Sequence, residues 1–148
     1  MKNKSLEKKI NYLIVKHLFK LPISFKTQYG EIVYFVDKKD CDEKTFFNVN
    51  NIHLTDMGHM MSLVEVNSFS NDLDASFIVV DELRKKDNCC IKLDLDVPGN
   101  IWTVTIKGNN FNCEKKGLGS NESLPMAICY AALLSLGLSR DDIDRTML

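Results

Sequence analysis

The sequence predicts an α+β domain in which helices pack on a small, mainly antiparallel sheet, an α/β/α sandwich. Three observations carry this. Leu6, Ile10, Leu13, Ile14 and Leu18 recur at helical spacing. Cys89, Ile91, Leu93 and Leu95 alternate with polar partners, and Trp102, Val104 and Ile106 do the same after Pro98-Gly99-Asn100. Finally, Ser123-Leu124-Pro125 opens a run of small apolar residues in which Ser123 caps and Pro125 needs no donor.

In chain order, the first helix spans Ser5 to Phe19 with lysines on its wet side, and Leu21-Pro22 stops it by removing a donor and disfavouring helical backbone before it. Glu31 to Val36 is β-branched and aromatic, hence a strand, and a charged loop from Asp37 to Lys44 leads to a second strand at Thr45 to Val49. Residues 50–60 read as irregular, with another strand from Met61 to Val66. A second helix starts near Phe69-Ser70-Asn71-Asp72, where Ser70 or Asn71 caps, and it buries Ala75, Ile78, Val79 and Leu83. Arg84-Lys85-Lys86 suits the negative end of its dipole. After the hairpin, the last long helix buries Ala127, Ile128, Ala131, Leu134 and Leu138, Gly137 marks its end, and Ser139 with Asp142 forms a capping box for one more turn.

A chain of 148 residues is expected to form one domain, with an insertion at 37–66. Its formal charge of -1 argues against bulk nucleic-acid binding, and its 45% hydrophobic, 26% charged make-up is that of an ordinary globular chain. No apolar run approaches the ~20 residues that cross a bilayer, and the basic start lacks the apolar segment of a secretory signal, so the expected location is the cytoplasm. Cys41, Cys89, Cys90, Cys113 and Cys129 contain no CxxC pair, so free thiols are expected, with Cys89 and Cys129 as small core residues.

No residue set specifies a reaction, and the chain is expected to bind rather than catalyse, without cofactor or metal. His17 reads as an ordinary helix residue. His53 and His59 flank Asp56 without a fourth ligand at zinc spacing. Pairing Cys113 with a histidine would need an orienting group and oxyanion donors that no motif supplies. Asp94 and Asp96 share a strand face, which reads as its solvated side.

Four blocks resemble the phage ABA-sandwich domain family, small proteins of phages and prophages of Firmicutes. They are Ile10 to Lys16; Phe69 to Ala75 with Val79-Val80-Asp81-Glu82-Leu83; Trp102-Thr103-Val104; and Leu124 to Leu133. The likeness covers residues 69–138 and, more loosely, the first 36, whereas Asp37 to Val66 departs from it. The resemblance implies a fold and a phage setting in the host cytoplasm, and no catalytic residues.

The strongest binding feature is Lys115-Lys116-Gly117-Leu118-Gly119-Ser120 running towards Ser123. Read as a loop, it joins two cations, backbone accessible at glycine and the free amides of a helix start, a combination suited to phosphate. The spacing is neither a Walker loop nor a dinucleotide fingerprint, and the plain alternative is a surface loop before a well-capped helix. Lys92, Thr103 and Thr105, on the polar face of the hairpin, complete the candidate set. With the phage setting, these residues suggest a protein that sequesters an anionic, nucleotide-type host immune signal, self-associating so that two copies enclose it. The alternative is a protein-interaction module in which Phe46, Phe47, Met57, Met60 and Met61 present an adaptable apolar surface that redirects a host factor.

Overall fold

Helix α1 spans Lys4–His17 in the computed structural model, which describes residues 4–40, 52–56, 61–66, 68–87, 89–96, 98–107 and 116–145. Of the predicted stripe, Ile10, Leu13 and Ile14 are buried, Leu18 is buried just beyond the helix and Leu6 is partly buried, while burial also extends to Asn11, Tyr12 and Val15. The helix stops short of Leu21-Pro22. Lys20 adopts a positive φ of 56°, and the Leu21 N–H turns back to the Val15 carbonyl at 3.2 Å. A left-handed residue therefore closes the turn before proline does.

Ser24–Gln28 (β1) and Glu31–Asp37 (β2) form a hairpin that the sequence reading did not include. Its register closes on Gln28 opposite Glu31, leaving Tyr29 and Gly30 as a two-residue turn with φ of 52° and 77°. Two positive φ values give the turn the twist that antiparallel strands need. Ile52–Asp56 (β3) is a strand where the pattern read as irregular, and Met61–Val66 (β4) matches its expected span. The sheet order is β1-β2-β4-β3, all antiparallel. The strand expected at Thr45 to Val49 lies outside the described residues.

Helix α2, Leu73–Asp87, buries Ala75, Val79 and Leu83 as expected. Its cap is Asp72 rather than Ser70 or Asn71: the Asp72 carboxylate accepts from the Asp74 N–H at 2.9 Å, and its carbonyl accepts from the Ser76 N–H at 2.9 Å. Ser70 is buried and ties to α1, its N–H donating to Asn11 Oδ1 at 3.0 Å and its hydroxyl to the Glu7 carbonyl at 3.2 Å. Lys86, near the end of α2, donates its ammonium to the Leu18 carbonyl just after α1.

Cys90–Asp96 (β5), Ile101–Lys107 (β6) and Lys116–Asn121 (β7) form a second antiparallel sheet in the order β5-β6-β7. Helix α3, Leu124–Ser135, packs across β6 and β7 and also meets α1 and α2. Met126 to Cys129 and Ala131 to Leu133 are all buried, so α3 is apolar nearly all round, as a helix enclosed on several sides must be. Gly137, at φ 100°, ends it: the Gly137 and Leu138 N–H groups return to the Leu134 and Leu133 carbonyls. The short helix α4, Arg140–Arg145, follows through the expected capping box, with Ser139 N–H to Asp142 Oδ2 at 2.8 Å and Asp142 N–H to Ser139 Oγ at 3.0 Å.

The fold is α+β, with four helices packing against two antiparallel sheets. Cys129 is buried and Cys89 partly so, and Cys90 and Cys129 are free thiols. Among the described residues no helix is long and apolar enough to cross a membrane.

Candidate functional site

The Gly-rich segment is a strand, not a loop. Residues 116–121 form β7, and alternation along it sends the expected anion-binding residues to opposite faces of the sheet. The register pairs Gly117 with Ile106 and Gly119 with Val104, on the face that α3 covers. It pairs Lys116 with Lys107, Leu118 with Thr105, and Ser120 with Thr103, on the other face. A β-carbon at Gly119 would lie 2.1 Å from the Ala127 carbonyl oxygen and 2.7 Å from the Ala131 nitrogen. Glycine is needed there for helix backbone to approach strand backbone, a packing role in place of the expected ligand approach.

Ser123 caps α3 as expected, accepting from the Met126 N–H at 3.5 Å, while its own N–H donates to Asn121 Oδ1 at 2.9 Å. Lys115 lies outside the described residues. Lys92 and Thr105 are register partners, as are Asp94 and Thr103, so Lys92, Thr103 and Thr105 share the sheet face opposite the one that α3 covers, and Ser120 is the register partner of Thr103. The Lys92 ammonium sits 3.8 Å from Asp94 Oδ2 in a solvent-exposed pair. Phe46, Phe47, Met57, Met60 and His59 lie outside the described residues. Among the described residues, no group of three or more His, Cys, Asp or Glu side chains is placed to hold a metal ion.

A concave site forms elsewhere, from residues that the sequence patterns did not group. The end of α1, the β1 strand and the α3–α4 connection enclose an open cleft of about 440 Å³, within the ~300–1,000 Å³ typical of small-molecule sites. Tyr12, Leu13, Phe25, Leu136 and Leu138 supply apolar walls, Gly137 part of the rim, and Lys16, His17 and Asp142 the polar groups. The aromatic wall is ordered by its own contacts. The Tyr12 ring meets Phe25 edge-on at 4.9 Å and stacks with Tyr34 at 6.1 Å, and Lys16 Nζ lies 5.7 Å from its centroid. The Tyr34 hydroxyl donates to the Lys8 carbonyl, fixing this cluster against α1.

Two charges oppose each other at the imidazole. Partial burial holds the His17 pKa below the ordinary value, the adjacent Lys16 cation lowers it further, and Asp142 pulls it back up. Asp142 is itself held below the usual carboxylate range, chiefly by the Ser139 backbone and hydroxyl hydrogen bonds. The cleft therefore presents a fixed cation, a mainly neutral imidazole near pH 7 and a carboxylate engaged in a helix cap. Only proximity in the fold reveals the set. Tyr12 to His17 come from adjacent turns of α1, whereas Phe25 arrives from β1 and the 136–142 segment from the last connection and the start of α4.

These features define an α+β protein with two antiparallel sheets and a small mixed-polarity cleft. No family model, curated protein or solved structure matches the chain.

Proposed function

We propose that the chain is a non-enzymatic binding protein that captures an anionic, nucleotide-type small molecule in the cleft between α1, β1 and the α3–α4 connection. The observation that carries this reading is the placement of Lys16 and His17 beside the Phe25 and Tyr12 rings in one cavity of about 440 Å³. A planar base is accommodated by apolar and aromatic walls, while a phosphate takes the Lys16 ammonium. His17 adds a graded element. Because its pKa is lowered in the free protein, an incoming anion that stabilises the imidazolium draws a proton on binding, and affinity rises as pH falls through the histidine range. On the resemblance to the phage family, the captured anion would be a nucleotide signal of host immunity, sequestered rather than cleaved.

Native mass spectrometry of the protein purified from infected cells, followed by titration with mono-, di- and cyclic nucleotides, tests this. A co-purified nucleotide mass is expected, with binding abolished in Lys16→Glu and retained in Lys92→Glu. Unaltered nucleotide affinity in Lys16→Glu with loss in Lys92→Glu would transfer the site to the open face of the second sheet. Absence of nucleotide binding by the wild type would end the reading.

A further inference from the structure

We infer that β5 is a self-pairing edge: two copies of this chain join β5 to β5 antiparallel about a twofold axis at Leu93, merging their three-stranded sheets into one continuous sheet. The surface is remote in character from the cleft, and the inference stands independently of any ligand.

The first observation is an uncovered apolar face. Register places Leu93 opposite Val104 and Leu95 opposite Trp102, on the side of the sheet where Val104 and Ile106 are buried beneath α3. Alternation in the sequence predicts a buried β5 face, yet Leu93 is 38% and Leu95 43% exposed, because α3 packs chiefly over β7 and β6. Among the described residues β5 is also an edge strand, seven residues long, with no proline and with its charges confined to the opposite face. Edges of that kind invite another strand unless protected.

The second observation selects the occupant. Pairing about Leu93, the middle residue of β5, sets Leu93 against Leu93, Ile91 against Leu95, and Lys92 against Asp94 of the second copy, with the reciprocal pairs on the other side of the axis. Apolar positions meet apolar positions on one face, and opposite charges meet twice on the other. Neighbouring registers lose this match. A slip of one residue turns the leucines towards the polar face. A slip of two sets either Lys92 against Lys92 or Asp94 against Asp94.

The same operation on the other edges of the two sheets gives poorer matches. β1 would oppose Lys26 to itself, β3 would oppose Ile52 to Asp56, and β7 carries two glycines that leave little side chain to pair. A twofold edge pairing is isologous and closes at two copies, so it consumes both free β5 edges without building a fibre.

Sedimentation velocity of the full chain at micromolar concentration is the test. The wild type is expected as a dimer, and Lys92→Asp and Asp94→Lys each as a monomer, since each sets like charges opposite one another at both symmetric positions. An equimolar mixture of these two variants should recover a dimer, because each supplies the charge that the other needs, and the double variant K92D/D94K should dimerise with itself. Oxidation provides a second readout in a chain that keeps the charges: Leu93→Cys should crosslink two copies through residue 93, and Leu95→Cys should not crosslink to itself. A monomeric wild type, dimeric single variants, a mixture that stays monomeric, or failure of the Leu93→Cys crosslink would each overturn the inference.

Discussion

Gly119 and Ala127 meet backbone to backbone: a β-carbon on Gly119 would stand 2.1 Å from the Ala127 carbonyl oxygen. Strand β7 and helix α3 approach this closely because neither residue carries a side chain beyond a methyl, with Ala131 completing the contact. Gly119→Ala should therefore destabilise the fold by roughly 1–3 kcal/mol, and Gly119→Val by more. Urea denaturation read by circular dichroism checks this, and a Gly119→Val protein as stable as wild type would contradict the packing.

Asn11 holds the entry to α2 from the middle of α1. Its side-chain oxygen accepts the buried Ser70 N–H at 3.0 Å, 59 residues away in sequence. Asn11→Leu leaves that donor without a partner in an apolar setting, and about 1–3 kcal/mol of stability should be lost. Equilibrium melts of Asn11→Leu against Asn11→Asp separate the missing acceptor from the changed shape.

Acid sensitivity should appear in the histidine range. With a folded-state pKa below its unfolded value, His17 binds fewer protons folded than unfolded, so its contribution is neutral above the unfolded pKa and becomes destabilising as pH falls below it. Thermal midpoints should decline on acidification through this window, and His17→Asn should flatten that decline. Equal pH profiles for the two proteins would remove His17 as the cause.

Lys20 carries left-handed backbone at φ 56° without being glycine, and its charge adds a small like-charge push to the Lys86 ammonium, whose pKa is lowered chiefly by partial burial. Lys20→Gly relieves both the backbone strain and the like-charge contact, at the cost of a freer unfolded chain. A net gain of up to about 1 kcal/mol is expected. Lys20→Ala, which keeps the strain and removes the charge, should gain less in the same denaturant titration.

The long-period signals in the sequence translated well into structure. α1, α2, the β5–β6 hairpin and α3 each have an apolar repeat longer than two periods, and the caps at Ser123 and Ser139 depend only on residues within one turn. β1 and β3 were not legible because Ser24-Phe25-Lys26-Thr27-Gln28 and Ile52-His53-Leu54-Thr55-Asp56 have few apolar residues and gain stability from partners elsewhere. The glycines of β7 read as a loop because glycine reports conformational freedom, whereas here it answers to a helix that lies across the strand. The exposed leucines of β5 kept the alternation of a buried face, since periodicity fixes which residues share a side and says nothing of what covers it. The cleft was the least legible of all. Its walls come from three separated segments, and no spacing within any one of them announces that the other two come to meet it.

The anchoring of α1 bears on how the chain matures as it leaves the ribosome. Its contacts run forward to Ser70 through Asn11, to Lys86 through the Leu18 carbonyl, and to the Asp144 carbonyl, which accepts from Lys9 Nζ at 3.2 Å across 135 residues. Its packing partners α3 and α4 are made well after it. α1 thus waits for these partners, and Ile10, Leu13 and Ile14 remain open to water or to a chaperone until α3 has been made. Native protection of α1 then becomes a sensor of α3 and α4 synthesis, and pulse-labelled hydrogen exchange on stalled nascent chains should show it rising once α4 has cleared the exit tunnel.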